Sequence, residues 1–392
     1  MNFTKENTGF LPRQLVDKHM LITGQTGSGK TCTARSLIYQ LQKENETVII
    51  LDPTGEYTKL PNMVVYTLGE NTFIDPGSLE VKQLLRVLDI ETSTLLTNKV
   101  EQAIESLKIQ ENIVGRKEVY LKLGLPIADY QDKVEKLKPW MNRYPFALLA
   151  KQSLEEFVVP KKDDTADYTL VGQVYDREKI NQCWDDFMVL DRRIRGQCFL
   201  EMFGAKNQTG RSKYDIDYIL SLFLEKRSMK RSLVLDLSRL KKYGNSQKYL
   251  MSLILKKILA KRMTAEFNFK VSLFIDEAHR YLPQNEFDMS ENGFFQLLRE
   301  GRKYGVSLVL ATQSPLDISP KLLSQISNFI IHRTSTLDEL EYLNLEVPFE
   351  ILNKLDVGQA VIYLYPKFYQ KVNIRLPEEC GYNVWKKSID IF

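Results

Sequence analysis

The chain has 392 residues, of which 43% are hydrophobic and 27% are charged. These fractions are close to the globular average and exclude a disordered chain, and the length allows two or three domains or one large domain with an insertion. The 54 Lys and Arg nearly balance the 50 Asp and Glu, which leaves a net charge of +4. This balance excludes a histone-like polycation but permits a local basic patch.

The cysteines and the termini narrow the class of protein further. Cys32, Cys183, Cys198 and Cys380 form no C-x-x-C pair, and the chain has three histidines. This pattern argues against a zinc site and a disulfide framework, and it is typical of a reducing compartment. The first residues lack the apolar stretch of a signal peptide, and no apolar run is long enough to span a membrane. We therefore expect a cytoplasmic protein without a membrane partner.

The first quarter of the chain predicts alternating strands and helices. His19–Thr23 and Thr47–Asp52 are continuous apolar runs, and a helix is predicted between them from about Lys30 to Lys43. Continuous rather than alternating hydrophobicity is typical of strands that are covered on both faces, as in a parallel sheet.

Residues 76–229 predict a mostly helical insertion domain. Pro and charged stretches separate its predicted helices, and Tyr168–Val174 is its best strand candidate. The predicted helices are Ser78–Leu88, Ser93–Ser106, Ala128–Leu137 and Lys179–Asp191.

The alternation of strands and helices resumes after this region. The predicted strands are Ser232–Leu237, Val271–Asp276, Val306–Thr312, Asn328–His332 and Gln359–Leu364. The predicted helices are Ser246–Arg262, Asn292–Lys303, one that begins at Ser319-Pro320, and Leu337–Leu343. Together with residues 1–75, residues 230–392 therefore predict an α/β core with a central, mostly parallel sheet and helices on both faces.

Residues 24–31, GQTGSGKT, match the P-loop pattern G-x-x-x-x-G-K-[ST]. A chance glycine-rich loop would lack the apolar strand before it and the helix after it, and both are predicted here. Lys30 would reach the β- and γ-phosphates of ATP, and the Thr31 hydroxyl would bind Mg²⁺. The predicted nucleotide contacts are Gly24, Gln25, Thr26, Gly27, Ser28, Gly29, Lys30, Thr31 and Cys32.

Asp276 and Glu277 form a second candidate element at the end of an apolar strand. Asp276 would join Thr31 around Mg²⁺ in the outer coordination sphere of the ion, and Glu277 would polarise the attacking water. Paired carboxylates at a strand end are common on their own, but beside a P-loop they predict ATP hydrolysis. The tetrapeptide Asp-Glu-Ala-His also occurs in superfamily 2 helicases, but the chain after Gln313 is too short for the second lobe of those enzymes.

Two further features have open interpretations. Gln313 ends the strand that is predicted to neighbour the Asp276 strand, where it would either contact the γ-phosphate or the attacking water, or cap the next loop. Arg299, Arg302 and Lys303 end a predicted helix, where cations are favoured by the helix dipole. Alternatively, one of these arginines reaches the nucleotide of a neighbouring subunit.

Four ordered motifs resemble the HerA branch of the HerA–FtsK ATPases. They are Met20–Thr31, Ile50–Tyr57, Leu273–His279 and Arg299–Gln313. The resemblance implies a RecA-like P-loop core in a hexameric ring that moves along double-stranded DNA and hydrolyses ATP with Mg²⁺. It further implies that Arg302 is the arginine that acts in trans, and that Asp52 and Glu56 lie near the nucleotide. Lys18 stands where family members often carry a second arginine.

The resemblance also bears on partners. Family members usually carry an N-terminal β-barrel that contacts a partner such as the NurA nuclease, and we expect that barrel to be missing here. Shortened relatives resemble ATPases of anti-phage systems, which implies a nuclease or a sirtuin-like effector as partner. Two alternatives are a nucleotide-gated ring that assembles and regulates an effector, and an ATPase of the secretion or conjugation type.

A basic cluster in and before the helix Ser246–Arg262 is the candidate DNA contact. Its alternative role is an ordinary solvated helix face, opposite a buried face. The cluster comprises Lys241, Lys242, Lys248, Lys256, Lys257, Lys261 and Arg262, and the predicted buried face comprises Leu250, Leu253, Ile254, Ile258 and Leu259.

Overall fold

The structure is a computed structural model that describes residues 4–5, 11–228, 231–266, 268–283, 292–366 and 368–377. The expected boundary at 229–230 and Cys380 lie outside these residues. The chain forms two compact units, one of residues 1–67 and 217–392 and the other of residues 68–216.

Thirteen strands are described in chain order. They are β1 (Met20–Thr23), β2 (Thr47–Asp52), β3 (Met63–Thr67), β4 (Thr72–Phe73), β5 (Val158–Val159), β6 (Val174–Tyr175), β7 (Tyr214–Asp215), β8 (Ser232–Asp236), β9 (Val271–Ile275), β10 (Val306–Thr312), β11 (Asn328–Ile331), β12 (Gln359–Leu364) and β13 (Phe368–Asn373).

Fifteen α-helices are described as well. They are α1 (Pro12–Val16), α2 (Lys30–Lys43), α3 (Val81–Val87), α4 (Thr94–Ile109), α5 (Ile127–Lys136), α6 (Leu149–Glu155), α7 (Arg177–Gln182), α8 (Trp184–Ile194), α9 (Gln197–Phe203), α10 (Ile216–Leu224), α11 (Gly244–Thr264), α12 (Gly293–Glu300), α13 (Pro320–Leu323), α14 (Leu337–Leu343) and α15 (Phe349–Asn353).

The first unit contains a nine-stranded sheet in the order β13-β12-β11-β1-β10-β9-β2-β8-β3. The seven strands from β11 to β3 run parallel, whereas β12 is antiparallel to β11 and β13 is antiparallel to β12. This mostly parallel α/β sheet confirms the predicted fold class, and β10 pairs with β9 as expected. Because parallel strands end at the same edge, the segments that follow β1, β9 and β10 meet there.

The sequences of β1 and β2 are continuous apolar runs because both faces of these strands are buried. All residues of both strands are buried, and Leu37, Ile38 and Leu41 of α2 pack into the same core. The sequence did not reveal β3, because this edge strand is only partly buried along its whole length.

The second segment of the first unit starts at Asp217, because side chains of α10 and α11 contact each other. Lys257 Nζ lies 2.7 Å from Asp217 Oδ2, and Lys261 Nζ donates to Ser221 Oγ over 2.8 Å. The limits of the second unit, 68 and 216, therefore differ from the predicted limits of 76 and 229.

Arg262 corrects the prediction for the basic cluster. Its side chain is fully buried, and it donates to the carbonyl oxygens of Leu224, Phe269 and Tyr304 over 2.7–3.1 Å. Burial lowers its pKa to about 10. The residue is therefore a core anchor and does not face solvent.

The second unit is mostly helical, with small strand pairs β4–β7 and β5–β6. The predicted helix Lys179–Asp191 is instead two helices, α7 and α8, which meet at Cys183. The predicted strand Tyr168–Val174 is wrong, since only Val174 belongs to a strand. The Asp167 carboxylate accepts hydrogen bonds from the backbone and side chain of Thr169, and such a turn competes with extended structure.

Across the described ranges, no helix is both long enough and apolar enough to cross a membrane.

Candidate nucleotide site

The loop between β1 and α2 has the backbone of a phosphate-binding turn. Gly24, Gly27 and Gly29 have φ angles of 146°, 78° and 111°, a region that residues with a Cβ rarely adopt. A Cβ on Gly24 would lie 2.6 Å from the Cβ of His332. Glycine is therefore required there for the close approach of the loop to the chain after β11.

Lys30 lies within the curl of this loop. Its Nζ donates to the carbonyl oxygens of Gly24 and Gln25 over 2.7 and 3.0 Å, and the side chain is 7% exposed. Burial lowers the pKa of Lys30, while the charges of Glu277 and Asp276 oppose that shift. The ammonium group is therefore poised where phosphate oxygens would provide stronger, charge-assisted partners.

Thr31 and Asp276 bring together the two oxygens that are predicted to hold a metal ion. Thr31 Oγ1 donates to Asp276 Oδ2 over 3.1 Å, and Tyr57 donates to the same oxygen over 2.8 Å. Burial first, and then the Asp276 charge, raise the pKa of Tyr57 well above its ordinary value. A hydroxyl and a carboxylate are hard oxygen ligands of the type that Mg²⁺ prefers, so the donor set fits this ion.

Glu277 is held beside the P-loop by Gln313. Gln313 Nε2 donates to Glu277 Oε2 over 3.2 Å, and Gln313 Oε1 accepts from Thr26 Oγ1 over 3.1 Å. The φ of Glu277 is 51°, a strained value that functional sites often retain. The structure thus joins Glu277 to the P-loop through Gln313, rather than leaving Gln313 as a loop cap.

Asp52 and Glu56 lie in the loop that follows β2. The Asp52 carboxylate is fully buried and accepts from the backbone N–H groups of Thr54, Gly55 and Tyr57. Asp52 therefore orders its own loop. The Glu56 side chain is 55% exposed and lies 3.7 Å from Arg35. A contact of either carboxylate with the nucleotide stays a prediction.

Cys32, in the first turn of α2, is partly buried. Its predicted contact with the nucleotide likewise stays a prediction.

His332 is a residue of this site that the sequence did not reveal. It is fully buried beneath the P-loop, where Nδ1 donates to Gln359 O and Nε2 accepts from Thr33 Oγ1, both over 2.9 Å. Burial lowers its pKa to about 4, so the ring is neutral at pH 7. A lone histidine after an apolar strand carries no sequence signal for this role.

Arg302 lies at the amino ends of the parallel strands, whereas the P-loop lies at their carboxyl ends. It is exposed in a short 3₁₀ turn that precedes β10, whereas the P-loop follows the carboxyl end of the neighbouring β1. His19, which precedes β1, is fully buried, and its pKa is lowered to about 4 by burial and by the Arg302 charge. The structure therefore does not bring Arg302 to the P-loop of its own chain.

Lys18 lies at this same amino edge, where its Nζ sits 4.5 Å from the ring centroid of Tyr365. Its charge is therefore also remote from the P-loop of its own chain.

The P-loop, acidic pair and parallel sheet agree with a comparison against protein families. The model of the central domain of helicase HerA matches residues 9–258, which is more than half of the chain. The chain belongs to the HerA helicase family. The resemblance of the four motifs is thus confirmed, and by fold and family the chain is a P-loop ATPase.

Two HerA relatives show how much of a full-length member the chain spans. The probable DNA double-strand break repair helicase HerA of Methanocaldococcus jannaschii is 25% identical, over 89% of this chain and 69% of the relative. The DNA double-strand break repair helicase HerA of Saccharolobus solfataricus is 26% identical, over 88% of this chain and 61% of the relative.

Solved structures with the same fold include proteins of conjugation and secretion. The plasmid coupling protein TrwB in complex with ADP and Mg²⁺ has a TM-score of 0.56 at 15% identity, with 93% of this HerA-family chain and 87% of TrwB covered. VirB4 of Thermoanaerobacter pseudethanolicus has a TM-score of 0.56 at 15% identity, with 93% and 91% covered. At this identity the likeness shows the fold alone.

Proposed function

We propose that this HerA-family chain is an ATP- and Mg²⁺-dependent DNA translocase or helicase that acts as a ring, which by its resemblance is hexameric. The observation that carries the proposal is the separation of Arg302 from the P-loop. β10 has seven residues, and at about 3.3 Å per residue it spans roughly 20 Å. That distance exceeds the reach of an arginine side chain, so Arg302 serves catalysis only at the nucleotide of a second subunit.

The surface around Arg302 supports such a contact. An open groove there is also lined by Arg13, Lys270 and Lys303. Lys270 is paired with Asp17 over 2.8 Å, whereas Arg302 is exposed. An arginine that reaches a neighbour's γ-phosphate stabilises the charge of the transition state, which makes hydrolysis depend on assembly.

Within one subunit, the proposed roles follow the contacts. The P-loop N–H groups and Lys30 would bind the phosphates, and Thr31 with Asp276 would hold Mg²⁺, which would neutralise charge on the phosphates. Glu277 accepts a proton from the attacking water, and Gln313 fixes the direction of its carboxylate.

DNA contact is proposed for the amino-terminal part of the basic cluster. Lys257 and Lys261 hold α10 and Arg262 is buried, which leaves Lys241, Lys242, Lys248 and Lys256 as the candidates. Lys241 Nζ also donates to Thr54 O over 2.7 Å. The HerA relatives are named as DNA double-strand break repair helicases. An effector partner and a role in anti-phage defence stay predictions.

The proposal is tested by measuring ATP hydrolysis with and without double-stranded DNA and by imaging particles with ATP and DNA. Stimulation by DNA together with rings is expected. Lys30→Ala is expected to lose nucleotide binding, whereas Glu277→Gln keeps binding and loses turnover. A monomer that hydrolyses ATP at the same rate with and without DNA contradicts the proposal.

The alternative in which the ring is a nucleotide-gated scaffold predicts instead that Glu277→Gln retains function. The secretion-type alternative predicts association with a membrane complex.

A further inference from the structure

Tyr57 is almost entirely buried against the Asp276 carboxylate, although it lies in a loop. Its side chain is 2% exposed and its hydroxyl donates to Asp276 Oδ2 over 2.8 Å. Asp276 Oδ1 accepts from the backbone N–H of Glu277 over 2.9 Å. Each oxygen of the Asp276 carboxylate therefore accepts a hydrogen bond, and the plane of the group is fixed.

The loop from Asp52 to Tyr57 holds the tyrosine from the backbone side. Asp52 Oδ2 accepts from the backbone N–H of Tyr57 over 2.8 Å, and Asp52 Oδ1 accepts from that of Gly55 over 2.8 Å. Gln247 Nε2 donates to Pro53 O over 3.1 Å from the other side of the loop. These contacts connect a fully buried carboxylate of β2 to the position of the Tyr57 ring.

The ring itself is held by α2, the helix that carries Thr31. The Arg35 guanidinium lies 5.7 Å from the centroid of the Tyr57 ring and donates to Glu56 O over 3.1 Å. Because Thr31 and Arg35 are one helical turn apart, the ring is located relative to the same helix that supplies the hydroxyl for the metal.

We propose that Tyr57 is a positioning residue for the metal-binding carboxylate of Asp276, and that the loop of residues 52–57 presents its hydroxyl. Thr31 also donates to Asp276 Oδ2, but its oxygen is itself expected to bind the ion. Tyr57 also donates to Asp276 Oδ2, but its own hydroxyl oxygen is not expected to bind the ion. Partners that orient a metal ligand in this way control metal affinity. The inference rests on the proposed use of a metal–nucleotide complex.

The test is Mn²⁺ binding in the presence of ADP, measured by electron paramagnetic resonance of free Mn²⁺. Tyr57→Phe keeps the ring and removes the hydroxyl, and we expect Mn²⁺ affinity to fall on the order of tenfold. ADP affinity measured in EDTA is expected to stay unchanged, which shows that the variant is folded and its P-loop intact. Mn²⁺ affinity within twofold of the unsubstituted protein overturns the proposal.

Tyr39→Phe is the matched control, because Tyr39 is a buried tyrosine in the same helix, two turns beyond Thr31. It is expected to leave Mn²⁺ affinity unchanged. An equal loss in Tyr39→Phe would show that any buried hydroxyl in this region matters, and it would overturn the specific role of Tyr57.

Asp52→Asn tests the loop independently of the tyrosine. It weakens the grip on the Tyr57 backbone and is expected to lower Mn²⁺ affinity as well. Combined with Tyr57→Phe, it should add little further loss, because both changes act through one hydroxyl. Fully additive losses would overturn the role of the loop. No DNA is present in these metal-binding assays. Their outcome therefore does not depend on whether DNA stimulates ATP hydrolysis, and the two proposals can fail independently.

Discussion

Gln313 Nε2 lies 3.2 Å from Glu277 Oε2 and donates a hydrogen bond to it, while the amide oxygen of Gln313 accepts from Thr26 in the P-loop. Glu277, the proposed general base, and the P-loop are therefore joined through one amide. A shift of the P-loop on nucleotide binding would move Gln313 and, with it, the Glu277 carboxylate.

Gln313→Glu is expected to slow ATP hydrolysis by a factor on the order of 100, because it replaces the donor with a second carboxylate that repels Glu277. Nucleotide affinity should change much less, since Lys30 and the loop N–H groups remain. Single-turnover hydrolysis and equilibrium binding of a fluorescent nucleotide separate the two effects. Unchanged turnover with weakened binding would instead assign Gln313 to the nucleotide.

Arg302→Ala is expected to abolish hydrolysis without unfolding the subunit, since the side chain is exposed. Mixtures with Glu277→Ala subunits should regain some activity, because some interfaces then combine an intact Glu277 with an intact Arg302. The measurement is ATPase rate against mixing ratio. Mixtures with no recovery would argue against action in trans. Lys303→Ala, the exposed neighbour, is the control and should retain more activity.

Arg262→Met is expected to destabilise the protein by about 3 kcal/mol, because it leaves three carbonyl oxygens, two of them in buried hydrogen bonds, without this donor. Lys256→Met, on the same helix but only partly buried, should change stability by less than about 0.5 kcal/mol. Urea unfolding measures both. Equal stability of the two variants would show that the Arg262 contacts contribute little.

Folding stability is expected to fall between pH 6.5 and pH 4 because of His19 and His332. Both are fully buried with a pKa of about 4, against 6.5 in an unfolded chain. The unfolded chain therefore binds more protons in this window, so the stabilisation is complete above pH 6.5 and is lost as the pH falls. At pH 5 the loss is about 2 kcal/mol for each histidine.

Urea unfolding at pH 7.5 and pH 5 measures this effect, and His19→Asn should reduce the difference between the two pH values. Asn keeps an acceptor for the Leu308 N–H, which His19 Nδ1 provides in the structure. His279→Asn is the control, since that side chain is 21% exposed. A pH dependence that is unaltered in His19→Asn would contradict a buried, neutral His19.

Much of the core followed from the sequence, because its signals are local. The glycines of the P-loop, the apolar runs of β1, β2 and β10, and the carboxylates after β9 are short patterns with one physical interpretation each. The parallel sheet followed because runs covered on both faces alternate with helices. The limits of β2, α2 and β10 agree with the prediction to the residue.

The second unit was harder to predict because its signals conflict. Tyr168–Val174 has strand composition, but Asp167, which precedes it, closes a turn with Thr169 at its start. The single predicted helix Lys179–Asp191 contains Cys183, at which α7 ends and α8 begins. Local side-chain hydrogen bonds prevailed over propensity in the first of these segments.

The sequence by itself determined the type of core, the P-loop and the acidic pair, since each depends on residues that are close together in the chain. Only the tertiary structure decided that Arg262 is buried, that Tyr57 contacts Asp276, that His332 lies beneath the P-loop, and that Arg302 lies at the amino ends of the parallel strands. These facts join residues from distant segments through strand order and packing. Strand order sets which segment ends meet, and that order is not encoded in any single segment.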